Sequence, residues 1–446
     1  MKLSKIVYKT YEEVEKIPRY DMAKKPLKQK WYLRPLTWLL SFPETIAFKT
    51  KVNKINIEGL KPPYILLCNH NSFVDFKVTT KALFPIPANY VVAIDGFINR
   101  EWLLRKAGGI SKRKFVKDVN IVNQIKHSLF INKTVLALYP EARYSFVGTN
   151  CELPDSLYKL IKLFSVPVVT LIMHGNHLRQ PFWNNLNKRK LPLLADMKLL
   201  FSKEDLKKVS LSEIKEKLDN QFKYDDYLYQ KENNIKIIEK NRAEGLNKVL
   251  YQCPNCKTEY KMKSSGIELW CEHCQKSYIL KENGQLQAKT GETEFSHIPN
   301  WFEWQRENVK KLIDNNTYNM EFEVDIDSLP NSKGFYRIGK GIVTHNSDGL
   351  IVKFKSGGKD YELKKNIIEL YSLHVEFDYF GKGDCIVISS LQDTYYMFPT
   401  VVYSKKADAI GCLYPKRPDT INWRWIFIPA TIRIPSSAAI LPKARK

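Results

Sequence analysis

Between residues 52 and about 205, short apolar runs alternate with segments of helical period. Val52 to Ile57, Tyr64 to Cys68, Asn89 to Ile94, Thr134 to Tyr139 and Pro167 to Met173 read as strands. Ser72 to Leu83, Glu101 to Lys106, Asp118 to Ile131 and Leu157 to Phe164 read as helices. Alternation of this kind predicts an α/β fold, a mostly parallel sheet flanked by helices. Such sheets bind ligands at the carboxyl ends of their strands. His70 and Glu141 each follow a predicted strand directly, which puts both at that edge.

The pattern changes on either side and predicts five units. Residues 1–50 are basic and amphipathic, and Trp31 to Phe48 mixes aromatic and apolar positions with flanking Lys and Arg. That suits helices lying in a membrane interface, and equally a helix packed on the next unit. Residues 51–205 form the α/β unit, and 206–245 a charged helical connector. Residues 246–285 hold a small cysteine module. Residues 286–446 turn to short β-rich runs such as Gly341 to Thr344, Leu350 to Phe354, His374 to Phe380 and Cys385 to Ser389, which predict an antiparallel β domain. Lys405 to Cys412 reads as a helix there.

Charge narrows the partners. Lys and Arg number 71 against 47 Asp and Glu, a net charge of +24. Nucleic acid, an anionic membrane surface and phosphate-bearing substrates all suit that excess. Trp31 to Phe48 is broken by Arg34, Pro35, Pro43 and Glu44, so no transmembrane span is expected, and residues 1–20 lack the apolar core of a signal peptide. The expectation is a cytoplasmic protein, held peripherally on a membrane.

The candidate chemistry centres on residues 64–76. An apolar run ends at Cys68, turns polar at Asn69-His70-Asn71, and resumes as a helical pattern, with Ser72 and Asp75 in the S-x-x-D relation that starts helices. A neutral imidazole can take the proton of an attacking hydroxyl, and a carboxylate on its far nitrogen fixes the tautomer and stabilises the imidazolium. His70 is therefore the candidate base and Asp75 the group that orients it. Taken alone, Asp75 is also explained by helix capping. Cys68 closes a buried strand and reads as an apolar filler rather than a nucleophile.

Three further stretches stand out: Gly108-Gly109-Ile110-Ser111-Lys112-Arg113, Tyr139-Pro140-Glu141-Ala142-Arg143-Tyr144-Ser145 and Val166-Pro167-Val168-Val169. In this order, with His70 and Asp75, they resemble the four blocks of the glycerolipid acyltransferases, the family that includes 1-acylglycerol-3-phosphate acyltransferase. The resemblance covers roughly residues 30–205. It implies transfer of a fatty acyl chain from acyl-CoA or acyl carrier protein to a lysophospholipid hydroxyl, a step of phospholipid biosynthesis. It also implies that Lys112 and Arg113, with Arg143, hold an acceptor phosphate, and that Glu141 positions the acceptor or orders its loop. The third block departs from the family: it has no glycine, and its arginine stands one place closer to the glutamate. Ser111 and Lys112 also replace the usual approach to the second-block arginine, and Thr170 stands where the fourth block often has a second proline.

Cys253-Pro254-Asn255-Cys256 and Cys271-Glu272-His273-Cys274 form two C-x2-C pairs, the pattern of a zinc ribbon with a structural zinc. Two disulfides are the competing arrangement, disfavoured without a secretion signal. With the charge, the ribbon also suggests a nucleic-acid-binding protein, but that reading leaves the blocks between residues 64 and 170 unexplained and argues against nucleic acid as the partner. An acyltransferase-like lipid-binding scaffold without activity is a third reading, opposed by the presence of both His70 and Asp75.

Overall fold

The computed structural model describes residues 6–403 apart from 185, 186, 368 and 371. The sequence-predicted helix at Lys405 to Cys412 lies outside the described residues, as does the rest of the tail. Among the described residues, three sheets organise the fold: seven-stranded, four-stranded and eight-stranded.

The seven-stranded sheet runs Lys51–Ile55, Leu194–Phe201, Val168–His174, Tyr64–Cys68, Val135–Leu138, Ala88–Ala93, Gly109–Lys112. The last five are mutually parallel. Leu194–Phe201 runs antiparallel to Val168–His174, and Lys51–Ile55 is parallel to Leu194–Phe201. The sheet is therefore mixed, with a reversed pair at one edge that the apolar pattern did not announce. Tyr64–Cys68 lies at the centre and is buried throughout, because both of its faces are covered. Tyr64, Leu66 and Cys68 join one core, and Ile65 and Leu67 the core on the other face, the alternation expected of a strand.

Gly108 and Gly109 serve the sheet rather than a loop. Gly108 has φ +94°, and a Cβ there would lie 2.6 Å from the Ala88 carbonyl oxygen, so the chain enters the Gly109–Lys112 edge strand by close backbone approach.

The four-stranded antiparallel sheet comprises Met262–Ser265, Glu268–Cys271, Ser277–Leu280 and Leu286–Ala288. The eight-stranded sheet runs Lys359–Asn366, Gly349–Ser356, Tyr336–Asn346, Asn319–Ser328, Thr394–Tyr403, Cys385–Ser389, His374–Glu376, and Val7–Tyr8 pairs with Tyr336–Asn346 off this path. The predicted strand at His374 to Phe380 stops at Glu376, since Asp378 and Phe380 take positive φ. Residues 1–50 do not act as one unit. Val7–Tyr8 joins the eight-stranded sheet, while the Arg34–Ala47 helix packs on the Asp75–Leu83 helix.

One core links all three sheets. Leu66 and Val74 of the α/β part, Tyr251 and Tyr278 around the cysteine sheet, Trp301, and Phe322 and Val343 of the C-terminal sheet belong to a single buried cluster.

Candidate functional site

The turn after Tyr64–Cys68 places His70 beside Asp75. His70 Nδ1 lies 2.9 Å from Asp75 Oδ2. That oxygen also accepts the backbone N–H groups of Asn71 (2.6 Å) and Ser72 (3.0 Å), and Oδ1 accepts Asn176 Nδ2 at 2.7 Å. Only half of the expected capping box forms. The Asp75 side chain reaches back to Ser72, but the Asp75 N–H bonds the Ser72 carbonyl, and the helix begins at Asp75 itself. The carboxylate is 0% exposed and four donors converge on it, so it is locked in place. With Asp75 accepting at Nδ1, the proton sits on that nitrogen and the Nε2 lone pair is left for a substrate. Nε2 has no hydrogen-bond partner among the described residues, and the His70 side chain is 22% exposed.

Glu141 braces the same turn. Its Oε2 accepts the His70 backbone N–H at 2.8 Å, and its Oε1 accepts that of Cys151 at 2.7 Å. The Ser145 N–H in turn bonds the His70 carbonyl at 2.8 Å. Tyr224 donates to Asn71 Oδ1 at 2.7 Å and lies 3.4 Å from both Glu141 oxygens. The imidazole ring lies 4.5 Å from the Tyr139 ring and 4.3 Å from Tyr144, centroid to centroid. Both Glu141 oxygens are thus taken up by backbone N–H groups of this turn and of the Cys151 segment.

Burial pushes the Glu141 carboxyl up to about 7, against the backbone donors of Cys151 and His70 and the charge of Arg143. The native state then holds a proton that the unfolded chain releases from about pH 4.3 upward. Glu141 favours the fold fully below that point, loses that contribution as pH rises towards 7, and adds nothing further above it. Asp226, also pushed up to about 7, acts in the same window, and His177, pushed down to about 3, acts with the opposite sign below its unfolded value. The difference between wild type and Glu141→Gln isolates the one group. In urea unfolding, the stability of wild type relative to the variant is expected to fall by up to ~3 kcal/mol between pH 4.5 and 7.5. A flat difference would mean that Glu141 is ionised in the native state.

The residues assigned to phosphate are not brought to His70 as a cluster. Arg113 is 3% exposed, and its guanidinium donates to Leu329 O (3.1 Å), Thr394 Oγ1 (2.8 Å), Pro330 O (3.0 Å) and Gln392 O (2.7 Å), all at the C-terminal sheet. That departs from the expectation of a phosphate-facing Arg113: in this structure its Nη donors join two parts of the chain, while its buried Nε has no hydrogen-bond partner. Arg143 Nη1 donates to Ser372 Oγ at 3.1 Å, again on the C-terminal side. Lys112 shares a strand face with Ile110, whose core lies across the sheet from the core that Tyr139 and Tyr144 pack against. Burial lowers the Lys112 ammonium, and Asp118 opposes that shift.

Sequence reasoning missed Asn176, Tyr224 and the tyrosine pair. Asn176 had a readable signal, the polar turn His174-Gly175-Asn176 at the carboxyl end of a buried strand. Tyr224 had none, since it sits among charged helical residues.

The four cysteines Cys253, Cys256, Cys271 and Cys274 converge, with all sulfurs within 4.8 Å of one another. Cys253 and Cys274 are 3.6 Å apart and Cys256 and Cys271 3.8 Å apart, so none is disulfide-bonded. A tetrahedral Zn–S distance of about 2.3 Å implies sulfur separations of about 3.8 Å, so the set fits a metal ion.

No protein-family model matches the chain, and no curated protein matches it. Among solved structures, the 1-acyl-sn-glycerophosphate (LPA) acyltransferase PlsC of Thermotoga maritima is similar over 43% of this chain and 79% of its own, with 14% identity and a TM-score of 0.32. At that TM-score the likeness carries no weight, and the functional reading rests on the site's own geometry.

Proposed function

We propose that the chain is an O-acyltransferase that moves a fatty acyl group from a thioester, acyl-CoA or acyl carrier protein, to a lipid hydroxyl. The observation that carries this reading is the His70 Nδ1 to Asp75 contact, held by a fully buried carboxylate, with Nε2 left open. Nε2 takes the proton of the acceptor hydroxyl as its oxygen attacks the thioester carbonyl. Asp75 stabilises the imidazolium, and the thiolate leaves with the pair of electrons of the C–S bond and recovers the proton. No acyl-enzyme is required. Cys68 is no rival nucleophile, because it is wholly buried and burial pushes its thiol well above the usual range.

The lipid side of the reading is supported by exposed apolar residues on the segment whose helix packs against the Asp75–Leu83 helix, and by Phe73. Trp31, Leu39, Leu40 and Ile46 on the N-terminal helical segment, and Phe73 next to His70, all project outward. Their setting fits peripheral attachment to an anionic membrane surface. No helix among the described residues is long and apolar enough to cross a membrane. The hydroxyl of the acceptor implied by the resemblance, 1-acylglycerol-3-phosphate, would be served by His70, while Arg113 and Arg143 both donate to the C-terminal part of the chain. The four cysteines are assigned a structural zinc, closed to substrate and therefore without a catalytic part.

The test is incubation with labelled acyl-CoA or acyl carrier protein and a panel of monoacyl lipids on vesicles. A labelled diacyl product is expected. Thioester that stays intact with every acceptor would contradict the proposal.

A further inference from the structure

Two turns meet at the carboxyl ends of neighbouring strands, and only one of them carries His70. Asn69 joins them. Its Oδ1 accepts the Met173 N–H at 2.8 Å and its Nδ2 donates to the Met173 carbonyl at 2.9 Å, so a side-chain amide continues the pairing of Tyr64–Cys68 with Val168–His174. Beyond that strand Gly175 takes φ +83°, a left-handed conformation that favours glycine, and a one-turn helix opens at Asn176. Asn176 is 0% exposed, and its Nδ2 donates to Asp75 Oδ1 at 2.7 Å across 101 positions of sequence.

The two oxygens of Asp75 are not equivalent. Oδ2 takes His70 Nδ1 and the N–H groups of Asn71 and Ser72, all from its own turn. Oδ1 takes Asn176 alone among the described residues. Three donors fix where Oδ2 lies. The donor on Oδ1 fixes the rotation of the carboxylate plane, and with it which lone pair of Oδ2 faces Nδ1. The Asn176 amide can face only one way, because its oxygen in that place would oppose a charged acceptor with another acceptor. Held so, Asn176 Oδ1 is buried without a hydrogen-bond partner. Such an unmet acceptor is uncommon in a core, and the placing of Nδ2 against Asp75 accounts for it. Asp226, 0% exposed, holds this second turn as Glu141 holds the first. Its Oδ1 accepts the Gly175 N–H at 3.1 Å and its Oδ2 the His177 N–H at 3.0 Å, so the carboxylate brackets Asn176 on both sides.

We propose that Asn176 is a positioning residue of the His70–Asp75 pair, set in place by Asp226 through the backbone of its turn, and that it keeps His70 in the Nδ1–H tautomer. This rests on the acyltransferase reading for its purpose, but it is tested in the resting protein, with no acyl donor or acceptor present. The experiment is proton and nitrogen NMR of the full chain carrying 15N in its eight histidines. Wild type is compared with Asn176→Leu and Asp226→Asn, and His70→Ala assigns the signal. Wild type is expected to show a low-field Nδ1–H resonance, from a charge-assisted bond to a carboxylate, that His70→Ala lacks. Asn176→Leu keeps the branched shape of the side chain and removes the donor. In it that resonance is expected to move upfield or vanish while the Nε2–H tautomer appears. Asp226→Asn is expected to act the same way, although its own hydrogen bonds reach neither His70 nor Asp75. In turnover, kcat should fall at least about tenfold in Asn176→Leu with KM little changed, the signature of a misplaced base. A His70 resonance unmoved in either folded variant overturns the proposal. Should neither variant fold, wild type decides: one Nδ2 proton of Asn176 is expected at low field and slow to exchange with deuterium, and rapid exchange of both overturns the proposal. A displaced resonance together with no acyl transfer by wild type would uphold the positioning role and count against the catalytic reading alone.

Discussion

Replacing His70 with alanine is expected to slow acyl transfer by about 10²–10⁴-fold, the range supplied by a positioned general base. The effect should fall on kcat more than on KM, because the imidazole acts as the proton moves. Asp75→Asn is expected to be nearly as damaging. An amide at this position would offer an N–H where Nδ1–H, and the backbone N–H groups of Asn71 and Ser72, now find an acceptor. The imidazole would then tend towards the tautomer that puts its proton on Nε2, where the base is needed. Steady-state kinetics on both variants, with circular dichroism to show that the fold persists, checks this. An Asp75→Asn protein with full activity would mean that the His70 tautomer is set by something else.

Removal of metal from the four cysteines is expected to unfold more than the cysteine sheet. Structural zinc contributes on the order of 10 kcal/mol to the fold of small four-ligand modules. Here the module is tied inward. Gln305 Oε1 accepts the backbone N–H groups of Tyr251 and Gln252, and its Nε2 donates to the Val249 carbonyl. Trp301 Nε1 donates to the Gln252 carbonyl at 2.9 Å, and its ring packs on Tyr278. The core that includes Tyr251 and Trp301 continues to Leu66 and Val74 beside the site. We expect one zinc per chain by elemental analysis. Treatment with chelator, or Cys271→Ser, should lower the midpoint of thermal unfolding by more than about 10 °C. Acyl transfer should decline with it, although no cysteine touches substrate. Full stability of a metal-free protein would refute the structural role.

The parts of this arrangement that could be read in the sequence are the local ones. Tyr64 to Cys68 is apolar at every position because both faces are covered, and the turn at His70 follows from where that run ends. The C-x2-C pairs are local as well, and their sulfurs do converge. What escaped was long-range. Arg113 looks like a surface cation in a Gly- and Lys-rich stretch, and only the return of residues 329–330 and 392–394 turns it into a buried clamp. Val7–Tyr8 looked like the start of a basic N-terminal arm, yet its backbone pairs with Tyr336 and Arg337. Tyr224 reaches Asn71 across a separation that no periodicity in either segment encodes.

The most direct measurement is transfer of labelled acyl chains from acyl-CoA to lipid acceptors by wild type and His70→Ala side by side, with zinc content and far-ultraviolet circular dichroism matched. The account predicts a diacyl product from wild type and its near disappearance in the variant. An undiminished rate in His70→Ala, or no product from a folded, zinc-loaded wild type with any acceptor or donor, would contradict it.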